Sequence, residues 1–181
     1  MTHQITGVGV AVLAAAALDT PAQTTAVLVG AAWLGSMLPD ADRAGARVYR
    51  PTRIERRHLP ARAAGALVRL PLRVLVALPH RGPTHSLIGC ALAAALIGLL
   101  VTSFAPALAV AAATGTAVGS LTHVAGDACT PSGVPLHWPL SRRRRWLVPA
   151  PARIPTGSLR EYALTVLLTA ALLATFVLLR G

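Results

Sequence analysis

HRGPTHS, residues 80–86, sets two histidines, an arginine, a threonine and a serine directly before an apolar run over residues 87–101. Polar and titratable groups are costly at membrane depth, and those found there default to function. The edge of this run therefore decides how the rest of the chain is read. Four other apolar runs accompany it, over 5–18, 25–38, 107–124 and 162–179. A helix that crosses a bilayer needs about 20 mostly apolar residues, with a range near 17–25. The first two runs are short and rich in Ala, Val and Gly. The runs 87–101 and 107–124, parted only by residues 102–106, read as a helical hairpin. The last is the cleanest, with no charge before Arg180. Gly115 and Gly119 have the spacing that lets helices approach closely.

Composition points the same way. Of the 181 residues 54% are apolar and 13% charged, against about 25% charged in soluble domains, and the mean hydropathy is +0.60. The expectation is a single all-α integral membrane domain over residues 1–181, with about five transmembrane helices. All 17 basic residues are arginine and the net charge is +11. Such a balance suits nucleic acid or an anionic membrane surface. Aromatics at 4% give little for base stacking, so nucleic acid is disfavoured and anionic lipid head groups are the expected partner. Cys90 and Cys129 give no disulfide framework. The first residues carry no basic segment, so a cleavable signal peptide is not expected.

The arginines are unevenly placed. Residues 39–85 hold ten and residues 125–161 hold six, whereas residues 19–24 and 102–106 hold none. With five crossings both basic loops fall on one side, which the positive-inside rule makes cytoplasmic. The N-terminus then lies inside. In the first loop Arg62, Arg69, Arg73 and His80 share a helix face opposite Leu67, Leu70, Leu72, Val74 and Leu75. This reads as an amphipathic interfacial helix interrupted at Pro71, or as an extra short span with snorkelling arginines. Arg142 to Arg145, followed by Trp146, reads as an anchor on anionic lipid or as a topology signal.

On that topology seven donors collect at helix ends on one side. His3 opens the first run, Asp40 and Asp42 of LPDAD close the second, His80 and His85 precede the third, and His123 and Asp127 end the fourth. The four-residue spacing puts His123 and Asp127 on one helix face, where nitrogen and carboxylate oxygen suit zinc, with manganese or iron as alternatives. Pro39 disfavours helix at Leu38, so Asp40 and Asp42 belong on a turn. Arg43 and Arg81 are available to neutralise them, and either aspartate, if not a ligand, is a candidate general base. Gly82-Pro83 forces a turn between His80 and His85, and Thr84 or Ser86 can cap the next helix. Seven donors suffice for one or two divalent ions with positions left for water, and Arg81 beside them suits charge building on a phosphoryl or acyl oxygen. His58 and His137 read as surface and interfacial residues.

With His3, LPDAD, HRGPTHS and THVAGDACTPSGVPLHWPL (residues 122–140) in view, the chain resembles the YdjM-like family over roughly residues 2–140. These are LexA-regulated inner-membrane proteins described as metal-dependent hydrolases. The resemblance implies a multi-span bacterial inner-membrane protein with a metal-dependent hydrolytic site, and carries over His80, His85, His123, Asp127, Asp40 and Asp42 as metal-site residues. Two further readings stand beside a hydrolase of lipid phosphoesters or esters. One is a metal-ion or proton transporter. The other is a lipid-binding scaffold without catalysis.

Overall fold

The five apolar runs are α-helices in the computed structural model of the chain, which describes residues 2–43, 45–46, 57–60, 63, 65–66, 73–78 and 80–180. They are α1 Thr2–Ala17, α2 Ala22–Gly35, α3 Leu87–Thr102, α4 Ala109–Ala128 and α5 Leu159–Arg180. No strand occurs among the described residues; one isolated antiparallel bridge joins Val134 and Arg145. The helix starts follow from local chemistry. Ser86 caps α3 by accepting from the Gly89 N–H at 3.1 Å. At α5, Ser158 Oγ accepts from the Glu161 N–H, while the Glu161 carboxylate reaches back to the Gly157 N–H, a capping-box arrangement.

Helix α4 is the centre, packed against α2, α3 and α1, with α5 laid along α1. Small side chains make this possible: Ala11, Ala15, Leu28, Ala32 and Ala111 form one buried cluster, and Cys90, Val124, Ala128 and Val134 another. The GxxxG pair faces α2. A methyl group on Gly119 would collide with the Ala32 carbonyl, and one on Gly115 with the Leu28 carbonyl. Gly119→Leu should therefore force α2 from α4 and cost about 1–3 kcal/mol, as overpacking does. Gly30, with open space around it, should tolerate alanine and gain a few tenths to about 1 kcal/mol of helix propensity. Thermal unfolding of the two variants in detergent separates these outcomes.

Successive helices alternate in direction, so the start of α1, the end of α2, the start of α3, the end of α4 and the start of α5 meet at one end of the bundle. The segment between α4 and α5 folds over that end. The Leu147 N–H donates to the Ala128 carbonyl and the Ile154 N–H to that of Cys129, while the Leu87 N–H donates to the Leu136 carbonyl. Orphan helix-end groups of α3 and α4 are thereby satisfied.

Length divides the helices. Pro106–Ala128, which includes the turn before α4, and Leu159–Leu179 have 23 and 21 residues and are apolar enough to cross a membrane. Thr2–Ala17 and Leu87–Thr102 have 16 each, or about 24 Å of helix against a hydrocarbon core of about 30 Å. Among the described residues two helices thus meet the criterion of length and composition, fewer than the five crossings read from the sequence. Of the expected interfacial helix, Arg62, Leu67, Arg69, Leu70, Pro71 and Leu72 lie outside the described residues, and Arg73–Ala77 is a 3-10 helix.

Candidate functional site

At the closed-over end, the turn Pro39–Asp42 leaves α2 as a 3-10 helix and buries Asp42. Its two oxygens organise the HRGPTHS turn. Oδ1 lies 2.7 Å from His80 Nδ1. Oδ2 accepts from the Arg81 N–H at 3.0 Å and from the Thr84 hydroxyl at 2.8 Å, and His85 Nδ1 is 3.5 Å away. Residues 80–85 therefore wrap a single carboxylate, and Arg81 takes a left-handed backbone conformation, φ 57°, to do so. A non-glycine residue held there stores strain and marks a functional candidate. Burial pushes the Asp42 carboxyl up, but contacts from His85, His80 and Thr84 outweigh it and bring the pKa from 3.8 down to about 2.

His85 and His123 face each other across the centre, ring centroids 5.5 Å apart, and both are buried. Each has one ring nitrogen engaged at the periphery. His123 Nδ1 is 2.7 Å from the Ser36 carbonyl, so it carries the proton, because a carbonyl can only accept. His85 Nδ1 meets Thr84 at 3.1 Å and Asp42 at 3.5 Å. The Nε2 atoms of both rings are buried and make no hydrogen bond. They point at a shared space: His85 Nε2 lies 3.4 Å from Asp127 Oδ2 and 3.9 Å from Asp40 Oδ1, and His123 Nε2 lies 4.0 and 3.8 Å from the same two oxygens. Buried polar atoms are almost always paired, so two orphaned imidazole nitrogens converging on two carboxylates need an explanation.

The remaining donors surround this space. His3 Nε2 is 3.5 Å from Asp127 Oδ1, and its ring lies 4.6 Å from that of His123. His3 rests on Gly126, where a side chain would overlap the ring. His3, His123 and Asp127 form one trio, and Asp40, His80 and His85 another, whose donor atoms lie within 4.8 Å of one another. The Arg81 guanidinium is 3.1 Å from Asp127 Oδ2 and donates to Thr130 Oγ1 at 3.4 Å. For His85, burial pushes the pKa down, but the Asp127 and Asp42 carboxylates outweigh it and hold the ring above its ordinary 6.5.

All eight residues singled out from the sequence (His3, Asp40, Asp42, His80, Arg81, His85, His123 and Asp127) thus stand in one cluster, while His58 and His137 are exposed and belong to neither trio. Two assignments change. The Arg81 side chain pairs with Asp127, and only its backbone serves LPDAD. Thr84 bonds Asp42 and leaves capping to Ser86. Sequence reasoning missed the Ser36 carbonyl and Gly126; neither a main-chain acceptor nor a clearance for a ring leaves a residue signature. Thr130, a hydroxyl one turn beyond Asp127, was within reach of the helical spacing.

No curated protein and no solved structure matches the chain. A family model described as the YdjM inner membrane protein matches residues 1–180. The chain, with its donor cluster closed over at one end of an apolar helical bundle, belongs to the YdjM inner membrane protein family.

Proposed function

We propose that the cluster holds one or two divalent cations, zinc foremost with manganese or iron as alternatives, and that the protein is a hydrolase of lipid phosphoesters or esters at the cytoplasmic boundary of the inner membrane. The observation that carries this reading is the pair of orphaned Nε2 atoms of His85 and His123, aimed at Asp40 and Asp127. Outer partners of a metal-binding histidine fix its tautomer, a part played here by the Ser36 carbonyl and the Asp42 carboxylate. His85, His123, Asp127 and Asp40 are the inner donors, joined by His3 and His80. Asp42, with both oxygens committed, orients His80 and His85. A bound ion supplies Lewis acidity and lowers the pKa of water at the site.

In the hydrolysis, water oxygen bonds to phosphorus or carbonyl carbon, the bond to the alcohol breaks, and the alcohol leaves with a proton. Asp40, whose side chain is 42% exposed at the mouth of the cluster, meets the imidazoles through Oδ1 alone; as a one-oxygen donor it keeps its second oxygen to accept the water proton. Arg81 steadies Asp127 and has further N–H donors for an anionic oxygen. On this reading there are five crossings, the three shorter helices α1, α2 and α3 being accommodated by local thinning of the bilayer, and the site and N-terminus lie on the arginine-rich cytoplasmic side. The exposed Leu92, Leu96 and Leu99 on α3 and Val166, Leu173 and Val177 on α5 then face lipid. Donors at helix ends rather than mid-bilayer favour hydrolysis over transport.

The test is hydrolysis of phosphomonoester, phosphodiester and carboxylester lipids by detergent-purified protein, before and after chelation and on return of zinc. Turnover that chelation removes and zinc restores is the expected result. Absence of turnover in every metal-loaded preparation contradicts the reading. The affinity for zinc should also fall as pH is lowered, starting above the ordinary imidazole value of 6.5, because His85 keeps its proton more tightly than usual and must lose it to ligate. In the metal-free protein the sign is opposite: the His85–carboxylate attraction is fully present below 6.5 and is lost as pH rises through the raised value. Zinc titrations across a pH series check both.

A further inference from the structure

Beside the cluster a half-open cleft of about 260 Å³ runs between α1, α4 and α5. One end is polar. His3 forms part of its wall and is 3.5 Å from Asp127. Thr130, which receives the Arg81 guanidinium, lines it too. Away from that end Leu164 and Leu168, one turn apart on α5, give an aliphatic wall near Thr6 and Thr122, while Leu147 and Ile154 of the covering segment line the cleft beside the end of α4. The cleft therefore shares its walls with the donor cluster and grades from hydroxyls and imidazole to hydrocarbon.

Resting on the hydrolase reading, we infer that this cleft receives one aliphatic chain of a phosphorylated membrane amphiphile and lays its ester at His3. Three observations select that occupant. The exposed lining surface is mostly apolar, and its ionisable groups, His3 and Glu161, stand together at one end, as in sites that orient a ligand. The volume falls just below the roughly 300–1,000 Å³ of drug-sized pockets, which suits part of one chain and excludes two side by side. The polar end adjoins two cations, for Arg81 reaches Thr130 and Arg153, beside Ile154, sits 4.3 Å over the Trp146 ring, and the one carboxylate in the lining, Glu161, is engaged by the Thr2 hydroxyl and the Gly157 N–H. A neutral wax leaves the charge unmatched, and a two-chain lipid buried whole exceeds the volume.

The start of α1 is also tied down. The Thr2 hydroxyl donates to Glu161 and lies 2.7 Å from that of Thr165. These bonds hold α1 to α5 at the polar end and set His3 between cleft and cluster. Thr2 and Glu161 are positioning residues, acting through His3.

The test uses full-length protein in anionic nanodiscs with a single-chain alkyl phosphate carrying a diazirine near its methyl end. After illumination, adducts are mapped by peptide mass spectrometry, and bound metal is measured on the same samples. Adducts should concentrate on Leu164, Leu168 and Thr122. Thr156→Trp, at an exposed position on the cleft rim, should reduce them roughly tenfold with bound metal unchanged. Ala125→Phe fills the cleft from α4, and the rim variant decides the matter should that one fail to fold. Labelling spread equally over exposed Leu96, Leu99 and Leu173, and indifferent to Thr156→Trp, overturns the inference. Labelling of the cleft in a protein that binds no metal sustains it and removes the hydrolase reading instead.

Discussion

Asp127→Asn should lower affinity for zinc by more than about 100-fold, beyond the 10–100-fold that mutating an outer partner of a ligand removes. Activity should be lost with it. The substitution preserves shape but removes a charge that faces four partners: His3 at 3.5 Å, Arg81 at 3.1 Å, His85 at 3.4 Å and His123 at 4.0 Å. It also leaves the half-buried Arg81 without its carboxylate, so some loss of stability accompanies the loss of metal. The bundle should persist, because α4 is held through Gly115 and Gly119, about two to three turns away. Metal analysis and circular dichroism on the same preparation make the check. An asparagine variant that keeps full metal and activity would remove Asp127 from the inner donors.

Asp42→Ala should have the largest effect on folding. His80, the Arg81 N–H and Thr84 all bond to its carboxylate, and His85 faces it at 3.5 Å. Breaking a buried charge pair by removing one partner costs about 3–5 kcal/mol. Here the loss also frees the left-handed Arg81 turn and lets His85 rotate, which should loosen metal about 10–100-fold. The two effects differ in pH dependence. Asp42 titrates at about 2 in the folded chain against 3.8 ordinarily. Its stabilisation is therefore complete above 3.8 and is lost as pH falls through the folded value. Wild type should lose thermal stability across that acid window, and the alanine variant, already without the contribution, should lose less. Melting curves in detergent at several pH values test it.

Much of this site was legible because helix direction alternates. Once residues 5–18, 25–38, 87–101, 107–124 and 162–179 are read as helices, counting ends puts His3, LPDAD, HRGPTHS and the His123–Asp127 pair at one end with no tertiary information. The pair itself follows from a spacing of four on a helix. What counting ends does not supply is which atom meets which. Asp40 and Asp42 are two residues apart on one turn, yet Asp42 is buried under four partners while Asp40 lies open beside the imidazoles. That division depends on how the 80–85 turn folds over the end of α2. Arg81 has carboxylates on several sides, and only the left-handed turn at its own backbone sends the guanidinium to Asp127. Helix number was legible from apolar runs, but crossing number was not. Tilt and bilayer thickness act on a 16-residue helix through its neighbours and the lipid, not through its composition.

The central claim is that imidazole and carboxylate donors from four helix ends meet on a metal ion. X-ray absorption at the zinc edge, on protein purified without chelator and quantified for metal, tests it most directly. Near-stoichiometric metal with a first shell of nitrogen and oxygen, two or more imidazoles included, is the predicted result. Metal at background level, or a sulfur shell supplied by Cys90 or Cys129, would contradict it.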